Sequence, residues 1–368
     1  MKPLFYLDLS VPQQELLIEL PFEGRHLVTG PPGSGKTLLA VHRAVMLDIA
    51  GREVVLITYS NLLRQYTTLI GDRMGLKGKV ITFHKWFHEF WQRRFGETPP
   101  PGERQGSFDW TEIIGSLARS PASLDKEFES LVVDEGQDLP KEFYLLCRQL
   151  AADVTVFADD NQRIGDDQST LPEIQNALGS STRRWRVPIN YRNTRQIADL
   201  ASCFHCGSAE DLPPASIRLG PAPTLTRDRS DKAFADRLVE YARSHPDLEI
   251  GVALKFIHDQ TLLVDHLQRN DVRTVQRYVG NSRDFRTVDF AKTGIRVFSI
   301  FSVKGLEFDT VFVPQLEIYD DDPTGAAARM RFYVLSTRAR RELHFSYEGE
   351  REPAIVSGLP DRILRRIS

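Results

Sequence analysis

The chain reads as an α/β protein built on mostly parallel sheets, with the strand–helix alternation running twice. Three observations predict this. Buried-type apolar runs of strand length recur along the chain. Helix-length segments separate most of them, and strands joined through helices pair in parallel. A glycine-rich turn between one such strand and the next helix fits the start of a phosphate-binding unit.

The first series holds "HLVTG" (26–30), "VVLIT" (54–58), "KVITF" (79–83), "SLVVD" (130–134) and "VTVFAD" (154–159), with helices over 36–50 and 60–75. The Pro/Gly-rich stretch "FGETPPPGERQGSFDW" (95–110) interrupts it and leads into a small insertion near 96–129. The second series holds "RRWRVPI", "PTLTR", "LEIGVAL", "GIRVFSI", "DTVFVP" and "ELHFSY", with helices near 192–204, 231–245, 257–269 and 325–338. The expected division is therefore 1–180 and 181–368. The 368 residues suit two or three domains, and no internal repeat or low-complexity tail stands out.

With 41% hydrophobic and 26% charged residues, the composition is that of an ordinary soluble globular protein. A net charge of −3 excludes a globally basic nucleic-acid binder, so any such surface must be a local patch. "MKPLFYLDLS" is no secretory leader, and no apolar run reaches membrane-spanning length. Cys147, Cys203 and Cys206 are few and odd in number, which fits a reducing, cytoplasmic setting. "CFHC" (203–206) lacks a second ligand pair, so idle thiols at a helix end are favoured over zinc or redox chemistry.

The chemistry is concentrated in two stretches. "GPPGSGKT" (30–37) fits G-x-x-x-x-G-K-[ST] between a strand and a helix. Gly30, Gly33, Ser34 and Gly35 form the turn whose N–H groups face phosphate, Lys36 brings a point charge to the β/γ-phosphates, and Thr37 brings a hydroxyl for Mg²⁺. "LVVDEGQDLP" (131–140) ends an apolar strand on Asp134, Glu135, Gln137 and Asp138. A plain turn does not need two adjacent acids. Mg²⁺ takes few carboxylates and keeps several waters, so one acid, Asp134, suffices to hold it, directly or through water. Glu135 is then free to act as base on the attacking water. ATP and Mg²⁺ are the expected cofactors. Gln137 and Asp138 are expected to couple this edge to whatever lies across the cleft.

These and further segments, in this order, resemble superfamily 1 helicases of the UvrD/Rep type over most of the chain. "VPQQELL" (11–17) is similar to the glutamine motif that reads adenine, with Gln14 the better-placed candidate. "VLITYSNLLRQ" (55–65) and "TFHKWF" (82–87) resemble segments that contact single-stranded DNA. "DEGQD" corresponds to D-E-x-Q-D. "FADDNQRI" (157–164) places Gln162 at the γ-phosphate by resemblance. "INYRNT" (189–194) implies Tyr191 packing on adenine and Arg192 as an arginine finger. "FSVKGLEFD" (301–309) implies Glu307 at the ribose and Gly305 near the phosphates, and "YVLSTRARREL" (333–343) makes Arg338 a second finger. The resemblance implies two tandem RecA-like P-loop NTPase domains that share an ATP site. A P-loop domain that hydrolyses ATP slowly by itself needs such cationic help at the γ-phosphate.

The chain departs from the family in three respects. Leu38 stands where an arginine often follows the GKT, and "QRIGDDQST" (162–170) has no aromatic to stack on a base. Phe83, Trp86, Phe87, Phe90 and Trp91 are the substitutes for that platform, with core packing the competing reading for at least half of them. The large accessory insertions are missing. By resemblance the nucleic-acid contacts fall to Tyr59, Ser60, Thr82, His84 and Lys85. The basic clusters "WQRRF", "TRRWR", "RARR" and "RILRR" read as solvated faces.

The expected activity is thus that of a nucleic-acid-dependent ATP hydrolase, a helicase or translocase on single-stranded DNA, with RNA as the open alternative and 3′-to-5′ polarity implied by the family. The competing reading is a motor or sensor subunit that unwinds little alone and works beside a partner such as a nuclease, in repair or anti-phage defence.

Overall fold

The fold was analysed in a computed structural model. It describes residues 6, 9–104, 106–119, 126–159, 168–187, 193–206, 216, 218–272, 274–279, 287–300, 305–319 and 322–367. Two compact units result, one built on Pro3–Thr29 and Lys36–Val187, the other on Pro188–Ser368 together with Gly30–Gly35.

The first unit runs α1 (Val11–Glu19), β1 (Arg25–Thr29), α2 (Lys36–Ile49), β2 (Val54–Thr58), α3 (Asn61–Arg73), β3 (Lys79–Thr82), α4 (Phe83–Phe95), α5 (Trp110–Arg119), β4 (Phe128–Val133), α6 (Lys141–Leu150), β5 (Ala151–Ala158), α7 (Leu171–Leu178) and β6 (Arg183–Arg186). Its sheet has the order β3-β2-β4-β5-β1-β6, and every ladder is parallel. Apolar residues on both faces explain the near-continuous hydrophobic strands, since helices cover a parallel sheet on both sides. One core packs α4, α6 and α7 on one face, and another packs α1 and α2 on the other.

The second unit runs α8 (Arg195–Ser202), β7 (Thr224–Arg227), α9 (Asp231–Ser244), β8 (Glu249–Leu254), α10 (Ile257–Arg269), β9 (Val275–Tyr278), β10 (Gly294–Ser299), β11 (Phe308–Val313), α11 (Ala326–Ser336), β12 (Ala339–Tyr347), α12 (Ala354–Ser357) and β13 (Arg365–Ile367). Its sheet has the order β13-β7-β12-β11-β8-β10-β9, again with parallel ladders throughout. The chain is therefore an α/β protein with two parallel sheets, consistent with tandem RecA-like domains. Among the described residues no helix is long and apolar enough to cross a membrane.

Two local readings of the sequence change. "RRWR", expected to open the second series, is β6, and it closes the edge of the first sheet beside β1. Its polar outer face suits an edge strand, which the apolar-run criterion passes over. The aromatics of α4 do not replace a stacking platform. Phe83, Trp86, Phe87, Phe90 and Trp91 are all buried in one core with Phe143 and Ile113. Spacing at i, i+3, i+4 and i+7 puts them on one helix face, and that face meets the sheet.

Candidate nucleotide site

Parallel strands end on one edge, and the first sheet places its chemistry there. Register pairs Thr29 with Ala158 and Ile57 with Val133, so the phosphate loop, Asp134 and Asp159 all begin where their strands stop. Loops at the carboxyl ends of a parallel sheet are where such folds bind ligands. In the loop, Gly33 and Gly35 have φ of 81° and 84°, a left-handed conformation that glycine adopts without steric cost. Lys36 and Thr37 open α2 and are buried.

The Lys36 ammonium meets the Asp159 carboxylate at 3.1 Å, and both side chains are buried. Asp159 was legible in the sequence only as part of "FADDNQRI", with no role attached. Asp134 is 1% exposed, and neither carboxylate oxygen has a hydrogen-bond partner of good geometry. Its pKa is pushed up to about 8, first by burial and then by the Glu135 charge, with Thr37 and Lys36 opposing. A wholly buried carboxylate with both oxygens open, near the Thr37 hydroxyl, fits a divalent cation that keeps most of its water. Among the described residues no group of three or more His, Cys, Asp or Glu side chains could hold a metal ion. Asp134 and Thr37 are thus a sparse donor set of the kind Mg²⁺ uses.

Glu135 has φ 53°, the left-handed region that non-glycine residues seldom occupy. It precedes a short 3₁₀ turn, Gly136–Asp138. A Cβ on Gly136 would lie 2.4 Å from Val156 Cγ1 and 2.8 Å from the Tyr144 hydroxyl, so only glycine fits beneath the turn. The Glu135 carboxylate accepts from Gln137 Nε2 at 2.5 Å, and Gln137 Oε1 accepts from the Asp159 N–H at 2.8 Å. Asp138 accepts from Gln168 at 2.9 Å. The hydrogen bonds of Gln137 and Asp138 named here join residues of the first unit.

Gln14 lies on α1, and its Nε2 donates to the carbonyls of Tyr6 and Leu9 at 3.2 and 2.9 Å. Its neighbour Gln13 accepts from the Ser10 N–H as part of a capping box. Leu38 packs against the α1–α2 core.

The nucleic-acid candidates sit at the ends of β2 and β3. Tyr59 is 43% exposed, and its ring lies 5.7 Å from that of His84. Ser60 caps α3 by accepting from the Leu63 N–H at 3.0 Å. Thr82 stands at the N-cap of α4 without a side-chain cap bond, and Lys85 is exposed with Glu89 at 3.9 Å. His84 Nε2 hydrogen-bonds the Gly106 carbonyl at 3.0 Å, and burial lowers its pKa. Tyr59 and His84 line a cleft of about 1170 Å³ whose wall includes Glu103, Asp109, Glu142 and Glu173. Arg104 and Lys141 line it too, so the wall carries both signs of charge.

In the second unit two expected motifs meet. Arg338 is 1% exposed, with Nε donating to Val334 O at 3.0 Å, Nη1 to Leu306 O at 3.4 Å and Nη2 to Thr337 Oγ1 at 3.2 Å. The Phe308 N–H donates to the Arg338 carbonyl at 3.0 Å. This joins "FSVKGLEFD" to "STRAR". Gly305 is buried with φ 80°, and Glu307 is half-buried. Gln162, Tyr191 and Arg192 lie outside the described residues. Cys203 and Cys206 are free thiols at the end of α8, and Cys147 is buried in the core of the first unit.

Residues 13–167 match a family model described as an AAA domain. No curated protein matches. Among solved structures the chain is similar to the C-terminal domain of a possible DNA helicase from Lactobacillus plantarum WCFS1, at 21% identity and a TM-score of 0.36. That likeness covers 48% of this chain and 98% of the other, and at such a score it says nothing of function. The AAA-type match, on the segment that carries the phosphate loop and Asp134, marks the first unit as nucleotide-binding in character.

Proposed function

We propose that the chain is an ATP-hydrolysing nucleic-acid motor of the UvrD/Rep-like type, acting on single-stranded DNA with the 3′-to-5′ polarity that the family resemblance implies. One observation carries the hydrolytic part. A phosphate loop, an open buried carboxylate and a second carboxylate held by an amide share one sheet edge. In this reading Gly33, Gly35 and Lys36 hold the β/γ-phosphates. Thr37 and Asp134 hold Mg²⁺, which when bound neutralises charge on those phosphates. Glu135 orients the attacking water and takes its proton. Gln162, Arg192 and Arg338 act at the γ-phosphate, Gln14 and Tyr191 at adenine, Glu307 and Gly305 at ribose and phosphate.

Tyr59 and His84 contact bases, and Ser60, Thr82 and Lys85 the backbone. The test is the ATPase rate with and without single-stranded DNA or RNA. Stimulation by DNA that Tyr59→Ala weakens supports the reading, and a rate indifferent to every nucleic acid removes it.

A second reading, a motor subunit that unwinds little alone, is favoured by the connection between β3 and β4, residues 83–127, which has room for two helices and little more. There the described residues hold α4, a turn closed by the Pro101–Phe108 bridge, and α5. Strand separation with and without a candidate nuclease partner distinguishes the two.

A further inference from the structure

We propose that Gln137 is a positioning residue, which couples occupancy of the phosphate loop to the placement of Glu135. Gln137 is wholly buried, and both ends of its carboxamide are committed. Nε2 donates to Glu135 Oε2 at 2.5 Å, and Oε1 accepts from the Asp159 N–H at 2.8 Å. The Asp159 carboxylate in turn faces Lys36 Nζ at 3.1 Å. An unbroken polar path therefore runs from the phosphate-loop lysine, across the end of β5, to the carboxylate at the end of β4.

The path has a built-in competition. Lys36 faces the Asp159 carboxylate here, while a nucleotide offers it several phosphate oxygens. Taking Lys36 away from Asp159 leaves a buried carboxylate without the ammonium it faces, which is strongly unfavourable and drives Asp159 to shift. The N–H of that same residue is the one Gln137 holds, so a shift at Asp159 reaches Gln137 and then Glu135. The Glu135 backbone is already in the left-handed region and Gly136 has no room for a side chain, so the main chain there gives little. The movable part is the Glu135 side chain, and Gln137 sets its position. Gln is the residue that offers a donor and an acceptor at this reach.

The inference rests on the hydrolytic reading above, so its test uses separate binding and turnover measurements on the full chain. Gln137→Leu removes both bonds. Gln137→Glu keeps an acceptor for the Asp159 N–H but loses the donor to Glu135. In both, folding is checked by thermal melting. Each is expected to lower kcat roughly 30-fold, within the range of a misplaced general base, with KM for ATP changed by less than about threefold. Asp159→Asn is expected to bind a non-hydrolysable ATP analogue roughly tenfold more tightly, because the phosphates no longer compete for Lys36.

Folded Gln137 variants with kcat within about twofold of wild type, or with kcat and affinity falling together, overturn the positioning role. Unchanged or weaker analogue binding by Asp159→Asn overturns the coupling. A wild-type chain that binds ATP without hydrolysing it would remove the hydrolytic reading, and the Asp159→Asn measurement would still decide the coupling.

Discussion

Asn193 grips the main chain on both sides of Arg338. Its Nδ2 donates to the carbonyls of Thr337 at 3.0 Å and Ala339 at 2.6 Å, and Asn193 is itself fully buried. Residues far apart in sequence thereby fix the segment that carries a candidate catalytic arginine. Asn193→Ala strips two buried carbonyls of their donor, at a cost of about 1–3 kcal/mol for each. Chemical denaturation should show that loss with an unchanged m-value. A variant as stable as wild type would show that the two bonds contribute nothing net.

Lys36→Ala should abolish ATP turnover, because the phosphates lose their ammonium. It should also destabilise the nucleotide-free chain by up to about 3–5 kcal/mol, since it takes away an ammonium that the buried Asp159 faces. The double variant Lys36→Ala, Asp159→Ala should recover much of the stability and none of the turnover. Melting curves and a coupled ATPase assay separate the two effects.

Glu135→Gln keeps the shape of the side chain but cannot take a proton. ATP should still bind, and hydrolysis should fall by roughly 10²-fold or more, the scale of general-base catalysis. Normal turnover would place the base elsewhere.

Mg²⁺ should raise the melting temperature of the wild-type chain, by binding the folded state alone. Asp134 offers two buried oxygens without hydrogen-bond partners, so Asp134→Asn should abolish that shift. It should also raise metal-free stability near neutral pH, because a carboxyl that resists ionisation is replaced by a neutral amide. A Mg²⁺-dependent shift that survives the substitution would move the metal site.

His26 links stability to pH. Trp185 Nε1 donates to its Nδ1 at 3.2 Å, so the ring proton sits on Nε2 and is donated to the Glu23 carbonyl at 2.8 Å. Burial, aided by the Arg43 and Arg183 charges, lowers the pKa below its ordinary 6.5, against the Glu23 hydrogen bond and Asp153. As pH falls below 6.5 the unfolded chain takes up this proton first. The contribution is therefore complete above 6.5 and is lost as pH drops towards the folded-state value. Denaturation midpoints for wild type and His26→Gln between pH 5 and 8 should converge at the acid end, as expected for a histidine titrating in this range.

The sequence by itself determined the elements whose signal is local. The strand, turn and helix around "GPPGSGKT" follow from glycine spacing and a following amphipathic run. The acids after "LVV" announce a site because the strand before them is apolar. Both parallel series are legible because strands buried on two faces are continuously hydrophobic.

Tertiary structure decided what depends on neighbours remote in the chain. β6 belongs to the first sheet because β1 offers it an open edge, a fact absent from "RRWR" itself. The α4 aromatics are core because one helix face meets the sheet, whereas composition alone leaves stacking on bases open. Lys36 faces Asp159, and Gln137 bridges Asp159 to Glu135, because strand order places β5 between β4 and β1. Such pairings are set by sheet order and register. Sequence spacing carries no record of them, since residues more than a hundred positions apart meet only when their strand ends share an edge.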